Sequence, residues 1–335
     1  MTGSLDGLIY EPVPGFEDHL EKELGSAPAG GAPGGLWTRY GPFYFVPAAL
    51  AATGPAASAS AVPAVSAATG PRPVFWRRNV WQKPFIREFG SIAGAASILR
   101  DIQRNWAPSL FTRFRRGKLI AEKLPPLSGK PRGFPWLLPD VPMGAWTLLD
   151  DHTLLASAEC ASPFPGGIIE FEEDREGPPS RAYLKLWEAL TLLRRRPVAG
   201  SVCLDAGASP GGWTWALAKL GAKVTAVDRS PLEQRITDMD GVDFIRHDAF
   251  TLEPRHIGRI DWLFCDAACY PSRLFEWVEK WLASGLCENY VCTIKMQGSP
   301  ETADFDTPRR FAALDGSRVV HLYHNKHELT YIRCP

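Results

Sequence analysis

The stretch SVCLDAGASPGGW, residues 201–213, runs from a short apolar strand (SVCLDAG) through a glycine turn into the helix GGWTWALAKLG. A strand feeding a helix in this way opens a βαβ unit, in which the next parallel strand returns by a right-handed crossover. The chain from Ser180 onward keeps that rhythm. KVTAVD, VDFIRHD and DWLFCDA read as further strands, and the helix LFEWVEKWLASG leads into the strand ENYVCTIKM. RVVHLY and HELTYIRC form a closing antiparallel hairpin around His324-Asn325-Lys326. The expectation is an α/β fold with a doubly wound, mainly parallel sheet, which binds ligands at the C-terminal ends of its strands.

Within the opening stretch, Gly207, Gly211 and Gly212 let the backbone turn tightly and bring its N–H groups up to a ligand, which points to a nucleotide-type molecule. A dinucleotide fingerprint needs GxGxxG, whereas this loop reads GxxxGG with Pro210 inside it, so NAD is the weaker reading. Asp228 ends the second strand (TAVDRS), where a carboxylate accepts hydrogen bonds from both hydroxyls of a ribose. Asp248, in RHDAF, stands at the end of the third strand, placed for an exocyclic adenine amine. Alone, either Asp is more often a helix cap or turn residue. At successive strand ends they outline a site for an adenosine with a short charged tail.

Four other charged residues occupy places where a sheet domain usually puts apolar or surface ones. Lys185 lies between Leu184 and Leu186 in the helix SRAYLKLWEALTLL, Asp266 ends the fourth strand, Lys295 interrupts the fifth (YVCTIKMQG) and Glu328 opens the last. Each by itself reads as a surface or snorkelling side chain. Four of them at strand ends and on the entry helix read as a site.

DAGASPGGW followed by AVDRS resembles the cofactor motif of the FtsJ-type methyltransferases, which implies a Rossmann-like domain that binds S-adenosylmethionine (SAM) and releases S-adenosylhomocysteine. The resemblance implies that Asp205, Gly207, Ala208, Ser209, Pro210, Gly211, Gly212, Trp213, Asp228, Arg229, Asp248, Ala249 and Asp266 line the cofactor site. The order Lys185, Asp266, Lys295, Glu328 resembles the family's catalytic tetrad, through YLKL, FCDA, TIKM and HEL. The implied reaction is methyl transfer to a ribose 2′-hydroxyl of RNA. A lysine takes the hydroxyl proton if burial and a neighbouring cation depress its pKa, although adjacent carboxylates push the other way. Lys295 is the candidate base and Lys185 the neighbouring charge, with Asp266 and Glu328 orienting both ammonium groups.

Most of residues 178–333, including WLFCDAACYPSRLFEWVEKWLASGLCENYVCTIKMQG and LYHNKHELTYI, is similar to one branch, the ribosomal RNA large subunit methyltransferase M group. VPGFEDHLEKEL and VFWRRNVW resemble that group's N-terminal domain. The branch carries a ferredoxin-like domain and a THUMP RNA-binding domain ahead of the catalytic one, and residues 91–135 give no clear THUMP pattern. The alternatives are a methyltransferase for tRNA or another RNA, a noncatalytic RNA-binding protein that keeps the fold, and a nucleotide-dependent oxidoreductase.

Ahead of the sheet domain, GLIYEPV, GFEDHLEKELG, LWTRYG, PFYFV and VFWRRNVW read in the βαββαβ order of a ferredoxin-like α+β domain, interrupted by an Ala- and Pro-rich stretch over residues 48–73 that reads in part as a mobile loop. SIAGAASILRDIQRNW reads as a helix running up to Pro108. The expected organisation is a ferredoxin-like domain over residues 1–90, a basic RNA-binding connector over 91–165, with a hairpin turning at Asp150-Asp151, and the methyltransferase domain over 166–335. Residues 51–135 hold 14 Lys and Arg against 3 Asp and Glu, whereas residues 136–335 are net acidic and the whole chain sums to zero. Cations at Arg77, Arg78, Lys83, Arg87, Arg100, Arg104, Arg113, Arg115, Arg116 and Lys118 alternate with Trp76, Trp81, Phe85, Trp106, Phe111 and Phe114, a pattern suited to phosphate contacts and base stacking or to a solvated face beside a core. Seven scattered cysteines with no CxxC pair read as reduced thiols, mostly core filler, and give no metal site. With neither an export signal nor a membrane span, a cytoplasmic monomer that acts on RNA is expected.

Overall fold

The computed structural model describes residues 3–25, 36–51 and 73–335, and the chain falls into two units. Among the described residues the first unit comprises those up to Pro131 together with Pro139–Glu170, and the second comprises Arg132–Leu138 and Phe171–Pro335. Most of the Ala- and Pro-rich stretch, from residue 52 to 72, lies outside the described residues.

In the first unit the order is β1 (Gly3–Ser4), β2 (Gly7–Pro12), α1 (Glu17–Leu24), β3 (Thr38–Tyr40), β4 (Phe43–Pro47), α2 (Ala48–Ala51), β5 (Arg77–Trp81), β6 (Pro84–Glu88), α3 (Ile92–Arg100), β7 (Trp106–Pro108), α4 (Phe114–Ala121), β8 (Gly144–Leu148) and β9 (Thr153–Ser157). Strands β2 to β5 form an antiparallel sheet in the order β3-β4-β2-β5, which is the arrangement that the βαββαβ order calls for. The buried Glu23 carboxylate pins α1 to the chain entering β5 by accepting the N–H groups of Phe75 and Trp76 at 2.8 and 2.9 Å. A second sheet, β1-β6-β9-β8-β7, has the expected hairpin β8–β9 near its centre.

The helix read over 91–106 ends at Arg100, and the chain then reverses so that Trp106 starts strand β7. The cause lies in Trp106 itself. Its ring is buried, and its indole N–H donates to the carbonyls of Leu99 and Gln103, so the last turn of α3 is capped by a residue from the strand. Stacking on bases is also excluded for most of the interleaved aromatics. Trp76, Trp81, Phe85 and Trp106 are buried in the core and Phe111 is partly buried, which leaves Phe114 exposed.

The second unit contains α5 (Tyr183–Leu193), β10 (Val202–Ala206), α6 (Gly212–Lys219), β11 (Lys223–Asp228), α7 (Gln234–Thr237), β12 (Val242–Arg246), α8 (Pro254–Ile257), β13 (Trp262–Cys265), α9 (Pro271–Ser284), β14 (Asn289–Lys295), α10 (Asp306–Ala312), β15 (Ser317–Val320) and β16 (Glu328–Arg333). They build a Rossmann-like sheet in the order β12-β11-β10-β13-β14-β16-β15, parallel except where β16 runs against β14 and β15. The central strands are apolar on both faces because helices cover both, and in β13 and in Tyr290–Ile294 of β14 every side chain is buried. Strand β10 pairs with β11 on one side and β13 on the other, so the strand order reverses there, and the C-terminal end of such a switch is where doubly wound sheets bind their ligands. One strand further out, β14 and β16 are registered so that Lys295 lies directly opposite Glu328.

Candidate active site

Four strand or helix ends bring the lysines and carboxylates into a closed ring. Lys185 Nζ donates to both oxygens of Asp266 at 2.9 Å and to Glu328 Oε1 at 2.9 Å. Lys295 Nζ donates to Asp266 Oδ1 at 2.7 Å and to Glu328 Oε2 at 2.8 Å. The ladder register supplies the Lys295–Glu328 edge, and α5 lays Lys185 across both Asp266 and Glu328.

The two lysines differ. The Lys185 side chain is 9% exposed and its three N–H groups are matched by three acceptor contacts. The Lys295 side chain is 25% exposed and donates to two acceptors among the described residues, which leaves one ammonium hydrogen for a further acceptor. Burial alone would raise the pKa of Asp266 and of Glu328, but Lys185 and Lys295 outweigh it and hold both carboxyls below their ordinary range. Burial alone would lower Lys295, but Asp266 and Glu328 outweigh it and raise its pKa above the ordinary lysine value. Of the two opposing effects expected on this lysine, the carboxylates prevail, because two of them within hydrogen-bond reach exceed burial and the effect of one ammonium.

The ring adjoins the glycine loop. Asp266 N–H bonds to the carbonyl of Ala206 at the end of β10, and a Cβ on Gly207 would fall 2.5 Å from Ala267 Cα, so the chain after Asp266 rests on Gly207 itself. Gly207 and Gly211 have φ of +75° and +117°, a region that side chains strain. A Cβ at Gly212 would meet Ser180 Oγ at 2.6 Å. Asp205, at the base of the loop, is buried; burial pushes its carboxyl up to about 7, against the 2.6 Å hydrogen bond from Thr214, and its Oδ1 has no partner among the described residues.

The Asp228 carboxylate accepts the N–H groups of Ser209 at 3.1 Å and Ser230 at 2.8 Å, which ties the loop to the end of β11. Asp248 caps the turn beyond β12, accepts from Phe250 N–H and pairs with Arg273 at 3.0 Å. Ala208 and Ala249 are buried behind this edge, and Pro210 and Arg229 are exposed at its rim. Trp213 belongs to the packing: its ring is buried edge-on to Phe264 and its indole N–H donates to the Ala182 carbonyl, which fixes the start of α6 against the start of α5.

Sequence reading missed Glu188, which lies almost one helical turn beyond Lys185. Its buried carboxylate accepts the N–H groups of Tyr323 and His324 at 2.8 and 3.0 Å and contacts His324 Nδ1 at 2.7 Å. It thereby holds the turn that delivers Glu328 to the ring. The signal was available, since a second charge in the apolar helix YLKLWEALTLL falls on the face of the first.

A family model described as FtsJ-like methyltransferase matches residues 178–300. The chain is 35% identical over 196 residues to a ribosomal RNA large subunit methyltransferase M of Azotobacter vinelandii, covering 54% of each chain. It is 32% identical over 254 residues to the protein of that name from Xanthomonas oryzae pv. oryzae, covering 71% of this chain and 68% of the relative. A solved structure with similarity is the fibrillarin pre-rRNA processing protein of Methanococcus jannaschii, at 17% identity and a TM-score of 0.32, covering 40% of this chain and 66% of that one. The chain spans about half the length of the first of the curated relatives it matches.

Proposed function

We propose, on the premise that this chain belongs to the FtsJ-like methyltransferase family and within it to the ribosomal RNA large subunit methyltransferase M group, that it transfers a methyl group from SAM to a ribose 2′-hydroxyl of ribosomal RNA. The observation that carries this reading is the closed ring of Lys185, Asp266, Lys295 and Glu328 set against a glycine loop at the switch in strand order.

The residues present fit SAM. The loop from Gly207 to Gly212 has room for no side chains at its glycines, and among the described residues the buried Asp205 Oδ1 at its base has no partner. Asp228 would hold the ribose and Asp248 the adenine edge. SAM supplies an activated methyl group, so the protein's task is to align the acceptor oxygen and remove its proton. Lys295, the more exposed of the two, would hold that oxygen, while Lys185 holds Asp266 and Glu328 in place. Exposed Arg87, Arg100, Arg104, Arg115 and Lys118 in the first unit would contact RNA phosphates, a role their net positive segment suits.

The raised pKa of Lys295 sets the pH dependence of the step. Below that pKa the neutral amine is a minor form whose share grows tenfold per pH unit. The single-turnover rate of methyl transfer should therefore rise with a slope near one in log rate between about pH 7 and 9. A rate independent of pH over that range removes Lys295 as the base. Asp228→Ala should weaken SAM binding by roughly 1–3 kcal/mol, because ribose hydrogen bonds and the tether on Ser209 go together. Unchanged affinity in calorimetry takes Asp228 out of the site. The reading as a whole is tested by incubating the protein with SAM labelled in its methyl group and large-subunit ribosomal RNA from cells lacking the gene; label in the RNA supports it, and SAM binding without transfer contradicts it.

A further inference from the structure

Tyr270 is 67% exposed, and among the aromatic side chains of the described residues only Phe114 shares that condition. Among the described residues its ring contacts no other ring and its hydroxyl has no hydrogen-bond partner, so it adds little to folding. It also stands where another residue type is expected. Tyr270 is the N-cap of α9, a position favoured by Ser, Thr, Asp and Asn, and its side chain makes no capping bond. The backbone is nevertheless fixed: its carbonyl accepts the Leu274 N–H at 3.2 Å and Pro271 follows as the first helical residue.

That fixed mount lies four residues beyond Asp266, on the loop whose Ala267 rests against Gly207. Cys269, just before it, is within electrostatic range of Lys295, Arg273 and Asp248. An exposed aromatic face on a fixed backbone mount therefore stands in the short segment that leads from Asp266 into α9, next in sequence to a cysteine that feels the charge of Lys295. Single-stranded RNA is gripped by such faces, since every base has a surface to stack and the ring is already in place.

We propose that Tyr270 is a stacking platform for a nucleobase of the acceptor RNA, positioning the ribose hydroxyl at Lys295. This rests on the methyl-transfer reading above. In steady-state transfer to large-subunit ribosomal RNA from cells lacking the gene, Tyr270→Ala should raise KM for RNA roughly 5- to 150-fold. SAM affinity should stay unaltered, and Tyr270→Phe should restore KM, because the ring and not the hydroxyl is used. An unchanged KM in Tyr270→Ala overturns the proposal. So does a loss that Tyr270→Phe fails to restore, or a parallel loss of SAM affinity, which would mean that the loop against Gly207 had moved. A wild-type protein that binds SAM but methylates no RNA overturns the methyl-transfer reading and the platform with it, whereas normal wild-type turnover beside an indifferent Tyr270→Ala overturns the platform alone.

Discussion

Lys295→Ala should cut methyl transfer by roughly 10²–10⁴-fold while SAM affinity stays within a few-fold. Its Nζ reaches Asp266 and Glu328 and is the more exposed of the two ring ammonium groups, so its removal strips the acceptor side and leaves the glycine loop and Asp228 intact. Lys295→Arg separates the roles further. The guanidinium keeps the charge opposite Asp266 and Glu328 but stays protonated at any usable pH. If activity returns with arginine, the residue acts by its charge and no proton passes through it; if only SAM binding survives, the base assignment stands. Single-turnover transfer and calorimetry on the same preparations give both answers.

Lys185→Ala should be the more damaging change to the fold. The lysine is buried and satisfies both acids, so its loss leaves two carboxylates sharing one ammonium in a largely dry place, at a cost of about 3–5 kcal/mol in urea unfolding. The cost has a pH signature. Asp266 and Glu328 have folded pKa values below their unfolded ones, so their contribution is present above the ordinary carboxylate range and fades as pH falls through the folded values. The difference between wild type and Lys185→Ala should accordingly shrink below about pH 4. Lys295, with a raised value, contributes until pH passes its own folded pKa on the alkaline side, so the ring is intact across the neutral range. A Lys185→Ala protein as stable as wild type at pH 7 would mean that water reaches the carboxylates.

The sheet domain is readable in the sequence because its signals are local. Apolar runs such as Trp262–Cys265 and the strand–glycine–helix unit at Val202–Lys219 report their own elements, and their alternation points to a doubly wound, mainly parallel sheet. The tetrad is readable for the same reason: Lys185 and Lys295 break apolar patterns that a core would keep. What the sequence hides depends on contacts between distant segments. Trp106 turns from a helical position into a strand because it caps α3 from outside, and Trp76 and Trp81 leave the expected stacking surface because their sheet needs them as core. The direction of the Lys295 pKa is left open by the sequence because it depends on how many carboxylates reach Nζ, a number to which the β14–β16 register contributes Glu328. Glu188 was overlooked because its three partners stand at residues 323 and 324, more than 130 positions away.

The central claim is that the ring delivers a methyl group to a ribose oxygen. It is tested most directly by incubating the full chain with SAM and large-subunit ribosomal RNA from cells lacking the gene, digesting the RNA to nucleosides and locating the added methyl by mass spectrometry. The account predicts one 2′-O-methylated nucleoside, its extra mass on the sugar fragment, present with wild type and absent with Lys295→Ala. A methyl group found on the base fragment, or the same product from Lys295→Ala at an undiminished rate, would contradict it.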